Sequence, residues 1–169
     1  STLSSSNSLK DLTISYDCDY YSTPVGEMNV VKKMKEVNAV VGGEGGGGII
    51  YPDLHYGRDA LVGIALFLSL LVRKGTSVSN LKENYPRYYM KKLKMSLDNS
   101  RLIDQVFEKI INKYSDLSPN TEDGVRIDFD NGWVHMRKSN TEPIVRIFSE
   151  SDSQSKADKI ALEIKNEIN

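Results

Sequence analysis

Within the stretch Arg137-Lys138-Ser139-Asn140-Thr141-Glu142-Pro143, followed by Arg146, two guanidiniums, two hydroxyls, a side-chain amide and several backbone donors crowd together. Trp133, Val134 and Met136 precede it, and Ile144, Val145, Ile147 and Phe148 follow. The flanks therefore read as strands and the polar cluster as the tight loop between them. Such a loop suits a phosphate dianion, because arginine offers a planar fork of donors and charge-assisted hydrogen bonds are the strong ones. The same residues also suit a solvated hairpin whose Ser, Asn and Thr make turn bonds.

A second cluster is Gly42-Gly43-Glu44-Gly45-Gly46-Gly47-Gly48, running into Ile49-Ile50-Tyr51-Pro52. Gly43, Gly45 and Gly48 satisfy the dinucleotide fingerprint G-x-G-x-x-G, but that fingerprint needs its last glycine to open a helix against the pyrophosphate. Here a strand-like pair stopped by proline follows, and no Gly-Lys-Ser/Thr of a P-loop is present. Nucleotide binding is rejected. What remains is a strand over residues 38–41 ending in a glycine loop with one carboxylate. Six glycines in seven positions are entropically costly to order, which suits a place where a ligand or another backbone comes close. Glu44 is an acceptor-only group able to receive two sugar hydroxyls. A flexible turn with an exposed charge is the other reading.

Taken in order, five segments resemble the α-D-phosphohexomutases: Ser4-Ser5-Ser6 opening a helix, Thr23-Pro24-Val25-Gly26-Glu27, the glycine loop, His55-Tyr56-Gly57-Arg58-Asp59, and the segment from Arg137 to Pro143. That family includes phosphomannomutase, phosphoglucomutase and phosphoglucosamine mutase. The resemblance implies that Glu44, Gly46 and Gly47 lie in the sugar-binding loop of the third domain. It implies that Arg137, Ser139, Asn140, Thr141 and Arg146 hold the non-reacting phosphate in the fourth. His55 and Arg58 are candidates to line the cleft under the glycine loop. One departure stands out, since members commonly carry Ser or Asn where this chain has Gly46.

The family's chemistry needs a phosphoserine in a Ser-His-Asn-Pro-like loop and an Asp-Gly-Asp-Gly-Asp-Arg magnesium loop, and neither occurs in this sequence. The acidic residues Asp123, Asp128 and Asp130 come nearest, and the last two read as solvated positions on the outer face of a strand, with Arg126 beside them. The resemblance therefore implies a C-terminal part comprising most of domain three and all of domain four. It implies no catalytic residue and no metal site in this part, with Mg2+ belonging to the full-length enzyme. Its partners would be a hexose phosphate and the missing N-terminal domains, and alone it would be inactive. Two other classes stay in view: a stand-alone, non-catalytic sugar-phosphate or anion-binding module, and a scaffold that binds no sugar phosphate.

Composition is consistent with a cytoplasmic protein. The net charge of −1 and pI near 6.1 give no electrostatic footprint for nucleic acid or an anionic membrane. The single cysteine, Cys18, forms no internal disulfide and reads as a buried or half-buried thiol. The serine-rich start lacks the basic and apolar regions of a secretion signal and reads as a boundary inside a longer chain. The longest apolar run, residues 60–72, reaches only about 20 Å as a helix, short of a ~30 Å hydrocarbon core. It reads as a buried core helix. Neither His55 nor His135 has an evident carboxylate in phase, and His135 reads as a strand-face residue.

The elements that must position these groups follow from periodicity and caps. Helices are expected at residues 8–15, 27–37 (Val30, Met34 and Val37 on one face), 59–74 and 78–84. Strands are expected at 19–23, 38–41 and 49–51. Their alternation indicates an α/β domain, a mixed sheet with helices on its faces and some parallel pairing, over residues 1–88. Residues 89–169 read as a smaller α+β domain, an antiparallel sheet with two helices. Its strand near 92–95 precedes a helix over 101–114 striped by Leu102, Val106, Ile110 and Tyr114. Residues 115–122 read as loop. Asn131-Gly132 joins two strands as a hairpin, and Ala157, Ile160, Ala161, Ile164 and Ile168 line a final helix. In the family this domain resembles the TATA-binding-protein fold, although the chain carries no basic stripe for DNA.

Overall fold

A computed structural model describes residues 1–96, 100–139 and 142–168, apart from the side chains of residues 100–102, and divides the chain into units Ser1–Arg87 and Tyr88–Asn169. In the first unit, helix ends follow local chemistry. The Ser6 hydroxyl accepts the Ser8 N–H at 3.1 Å and starts α1 (Asn7–Ser15). Gly26 precedes α2 (Glu27–Val37), whose first-turn Glu27 complements the helix dipole. That helix stops at Asn38, which adopts the left-handed conformation (φ 51°) that Asn tolerates better than most residues. Residues 38–41 are therefore spent on ending the helix, and the strand expected there begins only at Gly42.

Three short strands follow, β1 (Gly42–Gly43), β2 (Ile49–Tyr51) and β3 (His55–Arg58), antiparallel in the order β1-β2-β3. The parallel component of the mixed sheet shrinks to one bridge, Thr2↔Thr23. Residues 19–23 form no strand beyond it, because the chain after Thr2 turns at once towards α1. Val30, Val31, Met34 and Ile50 make the core of this unit, with Ala39 packed on it. Asp59 caps α3 (Ala60–Lys74), and Gly75 ends it with φ 56°. Ser77 caps α4 (Val78–Glu83).

Two expectations fail here. Helix α3 has no buried residue, and Leu61 and Val72 are 77 % and 81 % exposed. A helix of 15 residues runs about 22 Å, whereas three-residue β2, against which Gly63 packs through Ile49, spans only about 10 Å. Within this unit α3 packs on β2, and most of its apolar run is exposed. Cys18 is exposed rather than buried, since it follows the positive-φ residue Asp17 beyond the end of α1.

The second unit is an antiparallel sheet in the order β4-β7-β6-β5, built from β4 (Tyr89–Ser96), β5 (Val125–Phe129), β6 (Gly132–Lys138) and β7 (Ile144–Ser151). Helices α5 (Ser100–Lys113) and α6 (Gln154–Ile168) lie on one face. Residues 115–117 form a short 3-10 turn inside the expected loop. Alternate strand residues Val125, Ile127, Val134, Met136, Val145 and Ile147 meet Ile103, Phe107, Ile110 and Ile164 in one buried cluster. Burial of each such side chain contributes about 1.5–3 kcal/mol. Val106 and Tyr114 pack at its edge, while Leu102 of the expected stripe lies outside the described side chains. Ala157 and Ala161 let α6 sit close enough for the Ser149 hydroxyl to donate to the Ala157 carbonyl at 2.7 Å.

The opposite strand positions are less polar-outward than their pattern suggests. Arg126, expected outside, is 8 % exposed. Its guanidinium lies 4.5 Å from the centre of the Trp133 ring and pairs with Asp128 at 2.7 Å. Trp133, His135 and Glu150 are buried on the same face, and Glu150 accepts the Trp133 indole N–H at 2.9 Å. Asp128 and Asp130 are exposed. Among the described residues no helix is long and apolar enough to cross a membrane.

Candidate functional site

In the second unit, strand register brings the cations together. Arg137 on β6 stands directly opposite Arg146 on β7, and Arg146 stands directly opposite Lys94 on β4. Directly paired residues share a face, and Met136, Val145 and Ile147 occupy the helix-packed face, so this row projects from the other one. Like charges directly opposite one another are destabilising. Lys138 is out of the row by alternation and pairs with Asp104 of α5 at 2.7 Å.

The surrounding groups only partly compensate. Arg146 donates through Nε and Nη2 to the Ser139 hydroxyl, each at 3.4 Å, and through Nη2 to the Glu142 carboxylate. The other Glu142 oxygen lies 3.9 Å from Lys94 Nζ. Arg137 Nη1 donates to the Lys138 carbonyl at 3.3 Å. Its Nε is buried 4.0 Å from an Asp123 carboxylate oxygen and finds no hydrogen-bond acceptor among the described residues. The loop base is closed by the Ser139 N–H to the Ile144 carbonyl at 2.9 Å. Asn140 and Thr141 lie outside the described residues.

His135, two residues before Arg137 on the same face, donates through Nε2 to the Asp123 carbonyl at 2.6 Å. Burial pushes its pKa below the ordinary histidine value, against the opposing effect of that hydrogen bond. It thus stays neutral and fixes the backbone of Asp123. Lys94, Asp123 and Glu142 are not singled out as site residues by the sequence, because strand register aligns Lys94 with the arginines while Asp123 and Glu142 reach them from outside the strands.

In the first unit, the glycine loop is the tip of the β1–β2 hairpin. Gly47 N–H donates to the Glu44 carbonyl at 3.0 Å, and Gly47 has φ 91°. A Cβ on Gly43 would stand 2.4 Å from the Gly48 carbonyl oxygen. These two glycines answer to the turn itself, whereas a Cβ on Gly46 would meet nothing within 4 Å. The Glu44 carboxylate is held from two sides. One oxygen accepts the Gly26 N–H at 3.1 Å, and the other accepts Arg58 Nη1 at 3.2 Å. Arg58 Nε in turn donates to Glu27 at 2.8 Å. Each Glu44 oxygen keeps acceptor capacity for a hydroxyl, and its side chain is 18 % exposed.

Arg58 is thereby brought to Glu44, and His55 is directed elsewhere. His55 Nδ1 accepts the Gly57 N–H at 3.0 Å, so its Nε2 carries the proton donated to Asp59 at 3.1 Å. A carboxylate in phase does exist, four residues on. Asp59 uses its other oxygen to cap α3 through Leu61 and Val62, and these N–H bonds with His55 hold its pKa below the usual carboxylate range. Glu27 and Gly26 were quoted in the sequence only as part of a longer motif. The signal available was a Gly-Glu pair at a helix start, where backbone N–H groups and an acidic first turn are expected.

Among the described residues no group of three His, Cys, Asp or Glu side chains could hold a metal ion.

Comparison with known proteins agrees with the order of these elements. The family described as phosphoglucomutase/phosphomannomutase, alpha/beta/alpha domain III, matches residues 1–88, and the C-terminal domain of the same family matches residues 91–167. A phosphoglucomutase/phosphomannomutase of Thermococcus kodakarensis is 36 % identical over 92 % of this chain and 34 % of its own length. The crystal structure of a phosphoglucomutase/phosphomannomutase family protein from Burkholderia thailandensis matches with TM-score 0.76 and 25 % identity, over 95 % of this chain and 34 % of that one. An N-acetylphosphoglucosamine mutase of Aspergillus fumigatus, solved with GlcNAc-6P and magnesium, shares the fold at TM-score 0.69 and 15 % identity, over 99 % of this chain and 38 % of that one. The chain spans about a third of the length of these proteins. With both of its units matched in order, the chain belongs to the phosphoglucomutase/phosphomannomutase family.

Proposed function

We propose that this chain is the substrate-gripping part of a phosphohexomutase, an isomerase that interconverts hexose 1-phosphate and hexose 6-phosphate through a phosphoserine and a bisphosphorylated sugar. Residues 1–88 serve as the sugar-recognition domain, with Glu44 and the main chain of Gly46 and Gly47 meeting the hydroxyls. Residues 89–169 serve as the phosphate domain, with Arg137, Ser139, Asn140, Thr141 and Arg146 on the non-reacting phosphate. The phosphoserine and Mg2+ belong to the remainder of a longer protein. Grip on a remote phosphate is useful because binding energy realised away from the reacting carbon can position the reacting end.

The observation that carries this reading is the cross-strand row of Arg137 and Arg146 beside Ser139 and Glu142. Two guanidiniums in direct register are unfavourable alone and favourable around a dianion. The test is to titrate glucose 1-phosphate and mannose 1-phosphate into the isotope-labelled chain. Saturable amide shifts at Ser139 and Arg146, lost in Arg137→Ala, are expected, with further shifts around Glu44. Silence at both loops up to tens of millimolar sugar phosphate refutes the assignment for this chain.

A stand-alone sugar-phosphate-binding module is the second reading, favoured by the closed core of the second unit. It requires the isolated chain to bind as tightly as a longer protein that includes the preceding domains. The mutase reading requires the longer protein to bind more tightly and to turn the substrate over.

A further inference from the structure

We infer that Lys94 is a third cation of the phosphate site and that the Glu142 carboxylate holds the anion's place until phosphate displaces it. This rests on the phosphate reading of the Arg137–Arg146 loop.

The other lysines near Lys94 on β4 have partners of their own. Lys92 Nζ lies 5.1 Å from the centre of the Phe148 ring, and Lys91 pairs with Asp158 at 3.4 Å. Lys94 instead lies opposite Arg146 and is 63 % exposed in its side chain, with a Glu142 oxygen 3.9 Å away. Glu142 therefore bridges two cations that belong to two different strands. Its carboxylate oxygens sit where two oxygens of a tetrahedral phosphate would meet Arg146 and Lys94. By formal charge, Lys94, Arg137 and Arg146 together with Glu142 and Asp123 keep one positive charge in excess. A phosphate dianion in place of the Glu142 carboxylate brings the group to neutrality.

Displacement asks little of the fold. Glu142 is 45 % exposed in its side chain, and its backbone carbonyl is held by the Ile144 N–H at 2.8 Å, so a side-chain rotation into solvent suffices. An internal carboxylate that must leave first lowers the apparent affinity by the fraction of time the site is open. It also keeps three like charges from facing one another unscreened when no ligand is bound.

The experiment measures inorganic phosphate binding to the full chain at fixed ionic strength, from the amide shifts of Ser139 and Arg146, in wild type, Glu142→Gln, Lys94→Met and Arg137→Met. Glu142→Gln should bind phosphate about 3- to 10-fold more tightly, because the neutral amide competes poorly for the cations. Lys94→Met should bind about 3- to 10-fold more weakly, by loss of one largely exposed charge-assisted contact, which is worth less than the buried contact of Arg137. Equal or weaker binding by Glu142→Gln overturns the placeholder, and unchanged binding by Lys94→Met overturns the third cation. If Arg137→Met binds phosphate as wild type does, the phosphate reading itself falls, and this inference with it. If only Arg137→Met loses binding, that reading stands and the inference alone is overturned. Lys94→Gln, which keeps a polar side chain on β4, guards against a loss caused by altered strand packing.

Discussion

Replacing Arg137 by methionine should make the second unit more stable while removing its affinity for phosphate. Arg137 Nε is buried without an acceptor among the described residues, and a buried donor left unmade costs about 1–3 kcal/mol. Directly opposed like charges, Arg137 and Arg146, add a few tenths to about 1 kcal/mol of strain. Against this, methionine gives up the 3.3 Å bond from Nη1 to the Lys138 carbonyl, worth about 0.5–1.5 kcal/mol at best, and the 4.0 Å ion pair with Asp123, about 0.2–1 kcal/mol, while keeping most of the aliphatic stem. The balance favours the variant by about 1 kcal/mol, which is about 4–8 °C in Tm for a unit of this size.

Trp133 is the only tryptophan and is fully buried in the second unit, so its fluorescence reports that unit alone. Wild-type protein should gain about 1.4 kcal/mol at a phosphate concentration ten times Kd. The variant should start higher and gain almost nothing, since one charge-assisted contact to phosphate is worth about 1.5–3 kcal/mol, or about 10- to 150-fold in Kd. The control is chloride at equal ionic strength. A variant that unfolds earlier than wild type by more than 1 kcal/mol and still gains from phosphate would refute the reasoning on both counts.

Further tests address the groups around the two candidate sites. Burial holds His135 neutral, with its pKa below the ordinary value, so as pH falls through about 6.5 only the unfolded chain takes up the proton. Its contribution is complete above that pH and is lost downward to the depressed folded pKa, at up to about 1.4 kcal/mol per pH unit; urea unfolding followed by Trp133 should show this slope flattened in His135→Gln. Asp59→Ala removes the acceptor for the Leu61 and Val62 N–H groups and should cost about 1 kcal/mol, seen as faster amide exchange in the first turn of α3 and contradicted by unchanged exchange. Arg58→Met frees one side of the Glu44 carboxylate and should weaken mannose 1-phosphate shifts around Gly47 while leaving those at Ser139 intact; equal losses at both would tie the effect to folding instead.

Much of the fold was legible wherever a signal is local. Helix α2 runs over Glu27–Val37 as its apolar spacing indicates, and the Asn131-Gly132 hairpin closes between β5 and β6. Helix α6 buries Ala157, Ala161 and Ile164. Signals that depend on what lies across a sheet were misleading or silent. Arg126 alternates with apolar residues and reads as solvated, yet an aromatic ring on the neighbouring strand covers its guanidinium. The composition of α3 speaks of burial, but composition cannot supply a covering layer. Asn38 reads as part of a strand because its role as a helix stop is visible only once α2 is in place. At the candidate sites, residue types named Glu44, Arg137 and Arg146, whereas the contacts to Glu27, Gly26, Lys94 and Glu142 depend on chain crossings and register.

The two candidate grips solve opposite electrostatic problems, each within its own unit. On the proposed reading, Glu44 offers acceptors to neutral hydroxyls, which bind weakly and cannot reorganise a site. It is accordingly fixed before any sugar arrives, by a backbone N–H on one oxygen and Arg58 on the other, with Glu27 holding Arg58 in place. The arrangement keeps spare lone pairs on a carboxylate whose rotamer entropy is already spent. In the same proposal the cation row faces a ligand that binds strongly through charge, and strong binding threatens slow release. There the structure keeps repulsion among Lys94, Arg146 and Arg137 and lets an internal carboxylate relieve part of it. On the inferred arrangement a dianion competes with Glu142 to enter and meets Glu142 again when it leaves. Rigidity around the neutral part of a substrate and competition around its charged part would together give orientation without a trap, as the proposed mutase role requires.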